Sequence, residues 1–122
     1  MKNKIRILLV ADNGSLRYRL RTILAKEGDI EVIGDYSSIE EALPKIEMTT
    51  PDMVILEAKM PGMSGIEAAH RLRSSPQYDG TIIMLAESVD DVFDNLEDHV
   101  VDYYFVKDKH LPQLAQLVRQ VS

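Results

Sequence analysis

Short apolar runs recur along this chain at steps of roughly 20 residues, and the segments between them carry helical spacing instead. Ile5 to Val10, Met53 to Leu56 and Thr81 to Leu85 are close to continuously hydrophobic. Strands of that kind need cover on both faces, the condition of a parallel sheet held between two layers of helices. Glu31 to Asp35 and Asp102 to Val106 complete the strand candidates. Between them, Leu16, Leu20, Ile23 and Leu24 form one apolar stripe, and Ile39, Ala42, Leu43 and Ile46 form another. Leu111, Leu114, Val118 and Val121 form the last. Ser15, Ser38, Ser64 and Ser88 fall where a hydroxyl caps a helix start, and Gly28 and Pro76 fall where helices stop. The alternation predicts an α/β fold, a doubly wound five-stranded parallel sheet of (βα)5 form, over residues 1–122.

A chain of 122 residues with 45% apolar content can bury a real core, which sets aside intrinsic disorder. Its formal net charge of −6 argues against direct nucleic-acid binding by bulk electrostatics. There is no cysteine, so disulfides and thiolate metal sites are out of reach. No apolar stretch approaches the roughly 20 residues that cross a bilayer. Met1-Lys2-Asn3-Lys4 is basic, but Arg6 interrupts the apolar residues that follow, and no cleavage-site pattern appears. The expectation is a cytoplasmic domain with no membrane partner, either standing alone or followed by an output domain beyond Ser122.

Open α/β sheets place their chemistry at the carboxyl ends of the strands. The residues there are Ala11 and Asp12, then Glu57, then Ala86, then Lys107. Glu57 ends an apolar run and opens a turn-rich loop, Ala58-Lys59-Met60-Pro61-Gly62-Met63-Ser64-Gly65. Any strand can end in Glu, and Lys107 or Asp12 alone is equally ordinary. A flavodoxin-like small-ligand or flavin site would want a phosphate cradle after the first strand. Asn13-Gly14-Ser15 offers one glycine and no hydroxyl-rich loop. His70, His99 and His110 show no metal-ligand spacing.

Taken jointly, Ile5 to Asp12, Pro51 to Gly65 and Asp102 to Asp108 resemble the signature stretches of response-regulator receiver domains, CheY-like modules of two-component systems. The resemblance runs through essentially the whole chain and implies strand order 2-1-3-4-5. In that family two acids after strand one and an aspartate after strand three hold Mg²⁺. The aspartate takes a phosphoryl group, a strand-five lysine pairs with the phosphate, and a Thr or Ser after strand four binds it. Such chemistry needs an in-line carboxylate, a hard cation and donors for the product oxygens.

Carried over residue by residue, the resemblance implies that Glu57 stands at the phosphoacceptor position and Lys107 is the phosphate-pairing lysine. Asp12 matches the second acid, whereas Ala11 replaces the first. Ala86 replaces the hydroxyl, and Tyr104 matches the aromatic that turns on activation. Met60, Pro61, Gly62 and Gly65 match the loop. Asp12, Glu57 and the Lys59 carbonyl are what is left of the metal site, so the expectation is no cofactor, or Mg²⁺ held weakly. The implied module is not an enzyme; it is a pseudo-receiver acting by protein–protein contact. A receiver phosphorylated at an unorthodox acceptor is the alternative.

Lys107-Asp108, in place of Lys-Pro, and the character of the first helix resemble receivers that precede LuxR-type helix-turn-helix domains, as in NarL/LuxR-type transcription regulators. Partners implied are a sensor kinase, an output domain or a second copy, with DNA reached only through a C-terminal domain. Val89, Val92, Phe93, Leu96, Tyr103 and His110 are the candidate interaction face. Acidic Glu87, Asp90, Asp91, Asp94, Glu97 and Asp98 lie near it, while the first helix carries Arg17, Arg19, Arg21 and Lys26. Opposed charges on separate faces favour head-to-tail self-association.

Overall fold

A computed structural model of the chain describes residues 4–94, 99–107 and 111–122, with Phe93 and Asp94 described by backbone alone. Five strands, β1 (Ile5–Val10), β2 (Ile30–Tyr36), β3 (Met53–Glu57), β4 (Thr81–Ala86) and β5 (Tyr103–Val106), form one sheet in the order β2-β1-β3-β4-β5. Every pairing is parallel. The helices that connect and close it are α1 (Gly14–Ala25), α2 (Ile39–Thr49), α3 (Gly65–Ser74), α4 (Val89–Asp94) and α5 (Leu114–Val121), the last preceded by a 3₁₀ turn over Leu111–Gln113.

Alternation along the buried strands divides the core in two. Leu8, Val10, Val54, Leu56, Ile82 and Met84 face α2 and α3, where Ile39, Ala42, Ile46, Ala68, Ala69 and Leu72 meet them. Ile7, Leu9, Met53, Ile55, Ile83 and Leu85 face α1 and α5, meeting Leu20, Leu24, Leu114 and Val118. Each fully buried Leu or Ile contributes about 1.5–3 kcal/mol relative to exposure, so the sheet position of β1, β3 and β4 is strongly determined. The apolar stripes read from the sequence are the buried faces of their helices.

Boundaries depart from the sequence reading at several caps. Asn13, not Ser15, caps α1: its Oδ1 accepts from the amides of Ser15 (2.8 Å) and Leu16 (3.1 Å). Asn and Ser are near-equal caps, and here the earlier residue has the extended backbone that a cap requires. Ser38 and Ser64 cap α2 and α3 as expected. At Ser88 the cap runs the other way, with Asp91 Oδ2 accepting from the amides of Glu87 (3.0 Å) and Ser88 (3.3 Å). Pro44 lies inside α2 and removes an amide donor, yet four buried residues on that helix carry it through to Thr49. Pro76 lies just beyond α3, where the sequence placed a stop.

Candidate functional site

Strand register brings the predicted residues to one edge. Val10 lies opposite Leu56, Glu57 opposite Leu85, and Ala86 opposite Val106. The residues that follow, Ala11, Ala58 and Lys107, therefore lie side by side at the carboxyl edge of the sheet. Backbone bonds tie the rim together, from Ala58 N to Leu85 O (2.8 Å) and from Lys107 N to Ala86 O (2.7 Å).

Glu57 is the only buried charged residue among those described, at 6% exposure. Both of its oxygens are engaged. Oε2 accepts from Lys107 Nζ at 2.8 Å, and Oε1 accepts from the Asp12 amide at 3.2 Å. A carboxylate this deep is tolerable only with a cation and hydrogen bonds to replace its lost hydration. The Glu57 side chain reaches the lysine directly. Lys107 Nζ also lies 3.4 Å from Oε1 of the half-exposed Glu87.

Around Asp12 the loop is held from two sides. Its amide points at Glu57, while Nη1 of Arg17 donates to the carbonyls of Ala11 (2.6 Å) and Asp12 (3.1 Å). Arg17 Nε pairs with Asp35 Oδ1 (3.1 Å) and Arg21 Nη1 with Asp35 Oδ2 (2.7 Å). Two of the three α1 arginines are thus partly neutralised, which weakens the expected basic face. Ala11 is buried, and Asp12 is exposed.

The donor set is poor for a Mg²⁺ site. A hard divalent cation wants about six oxygens with net negative charge. Ala11 supplies no donor, Lys107 cancels the charge of Glu57, and the Asp12 carboxylate and Lys59 carbonyl are all that remain of the predicted ligands. Among the described residues, no group of three His, Cys, Asp or Glu side chains is arranged to hold a metal ion.

The loop after β3 is shaped by two glycines. Gly62 has φ of 83°, open only to glycine without strain. A Cβ on Gly65 would lie 2.5 Å from the Glu57 carbonyl oxygen, so only glycine lets α3 start against the strand end. Gly65 N donates to Ala58 O at 2.8 Å, closing the loop. Ser64 and Glu67 then form a reciprocal capping box. The Ser64 amide, with its hydroxyl, holds the Glu67 carboxyl below its ordinary range. That pairing was legible as a Ser-x-x-Glu spacing, but the sequence reading took only the serine. Met60, Pro61 and Gly62 line a groove of about 220 Å³ with Ser37 and Ile39. Lys59 extends into solvent, its Nζ 3.7 Å from Asp91 Oδ1.

Ala86 is fully buried at the end of β4, and Tyr104 is half-buried against the core on the α2–α3 side. Tyr103 is 40% exposed and Val89 51%. Phe105 packs against the α1–α5 core, which puts Tyr103, two residues before it, on that same side of β5 and away from Tyr104. Leu96 and His110, the acids Glu97 and Asp98, Asp108, and the side chains of Phe93 and Asp94 lie outside what is described. Sequence reasoning read Arg17 as part of a basic helix face and Glu87 as part of an acidic one, and did not bring them or Asp35 to this site. Charged residues at strand ends and on a first helix carry no periodic signal, and only the fold shows that they converge.

The chain matches the family model described as the response regulator receiver domain over residues 7–119. It is 31% identical over 121 residues to the response regulator protein VraR of Staphylococcus aureus, covering 97% of this chain and 56% of that protein. To a nitrate/nitrite response regulator protein homolog of Haemophilus influenzae it is 27% identical over 124 residues, covering 100% of this chain and 59% of the other. The chain therefore spans little more than half the length of these curated relatives. The fold superposes with a TM-score of 0.84 on a LuxR-family two-component response regulator from Aurantimonas sp. SI85-9A1. That comparison covers 98% of this chain and 85% of the other at 24% identity.

Proposed function

Because the chain belongs to the response regulator receiver family, we propose that it is a signalling module of a two-component pathway whose partner contacts do not depend on phosphorylation. One observation carries this reading: the Glu57 carboxylate is held in a fixed pose, with one oxygen on Lys107 and the other on the Asp12 amide. A phosphoryl acceptor must present an oxygen in line with the departing group, and a carboxylate carried one methylene too far and pinned there is misplaced, which is costly. Ala11 and Ala86 support the same reading, since neither a second acid nor a hydroxyl is present to receive the metal or the phosphate.

Incubation with Mg²⁺ and acetyl phosphate, or with a phosphoramidate, tests it. Intact mass is expected to stay unchanged, and a phosphoryl adduct mapped to Glu57 would overturn the proposal. The combined substitution Ala11→Asp, Glu57→Asp and Ala86→Thr is expected to create acceptance under the same conditions. In this reading the module works in the cytoplasm, with a sensor kinase or an output domain as partner. Similarity to longer regulators, of which this chain spans 56–59%, supports a following output domain, and the LuxR-family likeness supports a DNA-binding one. Reading the frame downstream of codon 122 checks that directly.

A further inference from the structure

Lys107 is a single ammonium shared between two carboxylates of very different exposure. Its Nζ lies 2.8 Å from Glu57 Oε2, buried, and 3.4 Å from Glu87 Oε1, whose side chain is 52% exposed. Glu87 directly follows Ala86 and begins the loop into α4. That loop is held at its other end by Asp91, whose Oδ2 accepts from the Glu87 and Ser88 amides. Asp91 is itself paired with Lys59 from the β3–α3 loop. Residue 87 is thus tied twice, by its amide to Asp91 of α4 and by its carboxylate to Lys107.

A hydroxyl at position 86 could link the loop to an anion at position 57 by a hydrogen bond. Alanine cannot. The link present is ionic instead and lies one residue further along. It runs from an anion at 57, through a cation at 107, to an anion at 87. Two carboxylates share one positive charge, so they compete for it, and strengthening one arm weakens the other.

We infer that Glu57, Lys107 and Glu87 form a shared-cation latch through which the charge at position 57 sets how firmly the β4–α4 loop is held. Neutralising Glu87 leaves Lys107 to Glu57 and loosens the loop. Neutralising Glu57 gives Lys107 wholly to Glu87 and tightens it. The inference rests on the phosphate-independent reading only in taking Glu57 as unmodified.

Amide hydrogen exchange at Glu87 and Ser88 and the ¹⁵N resonance of the Lys107 ammonium report the latch. Glu87→Gln is expected to speed loop exchange roughly two- to five-fold, the range an exposed ion pair supports, and to shift the Lys107 resonance. Added NaCl is expected to do the same to the unsubstituted protein and to have a smaller effect on Glu87→Gln, where only the Lys59–Asp91 pair is left to screen. Glu57→Gln is expected to slow loop exchange. Equal exchange in the unsubstituted protein and Glu87→Gln, with an unmoved Lys107 resonance, overturns the latch. Should Glu57→Gln fail to fold, the Glu87 and salt measurements still decide, since Glu87 is exposed. Intact mass of the same samples, after exposure to acetyl phosphate, separates failure of the latch from failure of the phosphate-independent reading.

Discussion

At the scale of single residues, the pair Glu57–Lys107 dominates the site. Removing Lys107 strands the buried Glu57 carboxylate, whereas removing both partners does not. Lys107→Met is expected to cost about 3–5 kcal/mol in urea unfolding, and Glu57→Gln combined with Lys107→Met to recover most of that. Full additivity of the two substitutions would deny that the pair is coupled. Gly65 matters for a different reason. Gly65→Ala drives a methyl against the Glu57 carbonyl, where backbone cannot give way as a flexible side chain would. About 1–3 kcal/mol of destabilisation is expected, with displaced amide resonances through Ala58.

At the scale of elements, the helix starts and the α3–β4 connection repay attention. Ser64→Ala removes one arm of the capping box and is expected to lower stability by roughly 1 kcal/mol, measured by chemical denaturation. Between α3 and β4, Tyr78 is buried with its hydroxyl donating to Pro51 O at 2.7 Å, and burial raises its pKa well above the ordinary 10.0. A group whose acid form is favoured by folding adds stability that is complete below the unfolded pKa and is lost as pH rises beyond it. Alkaline unfolding from about pH 10 upward is therefore expected to steepen with ionisation of Tyr78. In Tyr78→Phe that slope should flatten, while stability at neutral pH drops by about 1 kcal/mol from the lost hydrogen bond. An identical alkaline profile in the two proteins would exclude Tyr78 as its source.

Across the whole molecule, Arg73 performs the corresponding closure at the side of the sheet away from the site. It donates to the carbonyls of Val100 (3.0 Å), Tyr78 (2.9 Å) and Gly80 (2.7 Å), and to Asp102 Oδ2 (2.8 Å). Asp102 in turn accepts from the Ile82 amide, so one guanidinium joins α3, the start of β4 and the strand beside it. Arg73→Ala orphans several of these acceptors at once and is expected to cost 2 kcal/mol or more, on the order of one or two charged hydrogen bonds. A change below 0.5 kcal/mol, the range of ordinary surface substitutions, would mean that water substitutes for the clasp.

How far the sequence could be read follows from which interactions leave a period. Continuous apolar runs and helical stripes are local patterns, so they determined the α/β class, the parallel sheet and the division of core residues between helices. The loop Met60 to Gly65, with Glu57 before it and Lys107 far downstream, was legible because a recurring site leaves recurring letters. Cap identity at Asn13 was not, because several adjacent polar residues could serve and backbone conformation chooses among them. Arg17 and Glu87 were legible only as members of charged faces and Asp35 only as a strand end; their places at the site come from sheet order and the packing of α1. Above all, the residue types alone showed that Glu57, Ala11 and Ala86 depart from an ordinary receiver. That both oxygens of Glu57 are engaged, and that Lys107 is shared with Glu87, was decided by register and burial. Hydrogen bonds across 45 and 50 residues of chain depend on where the strands end, and only the packed sheet determines that.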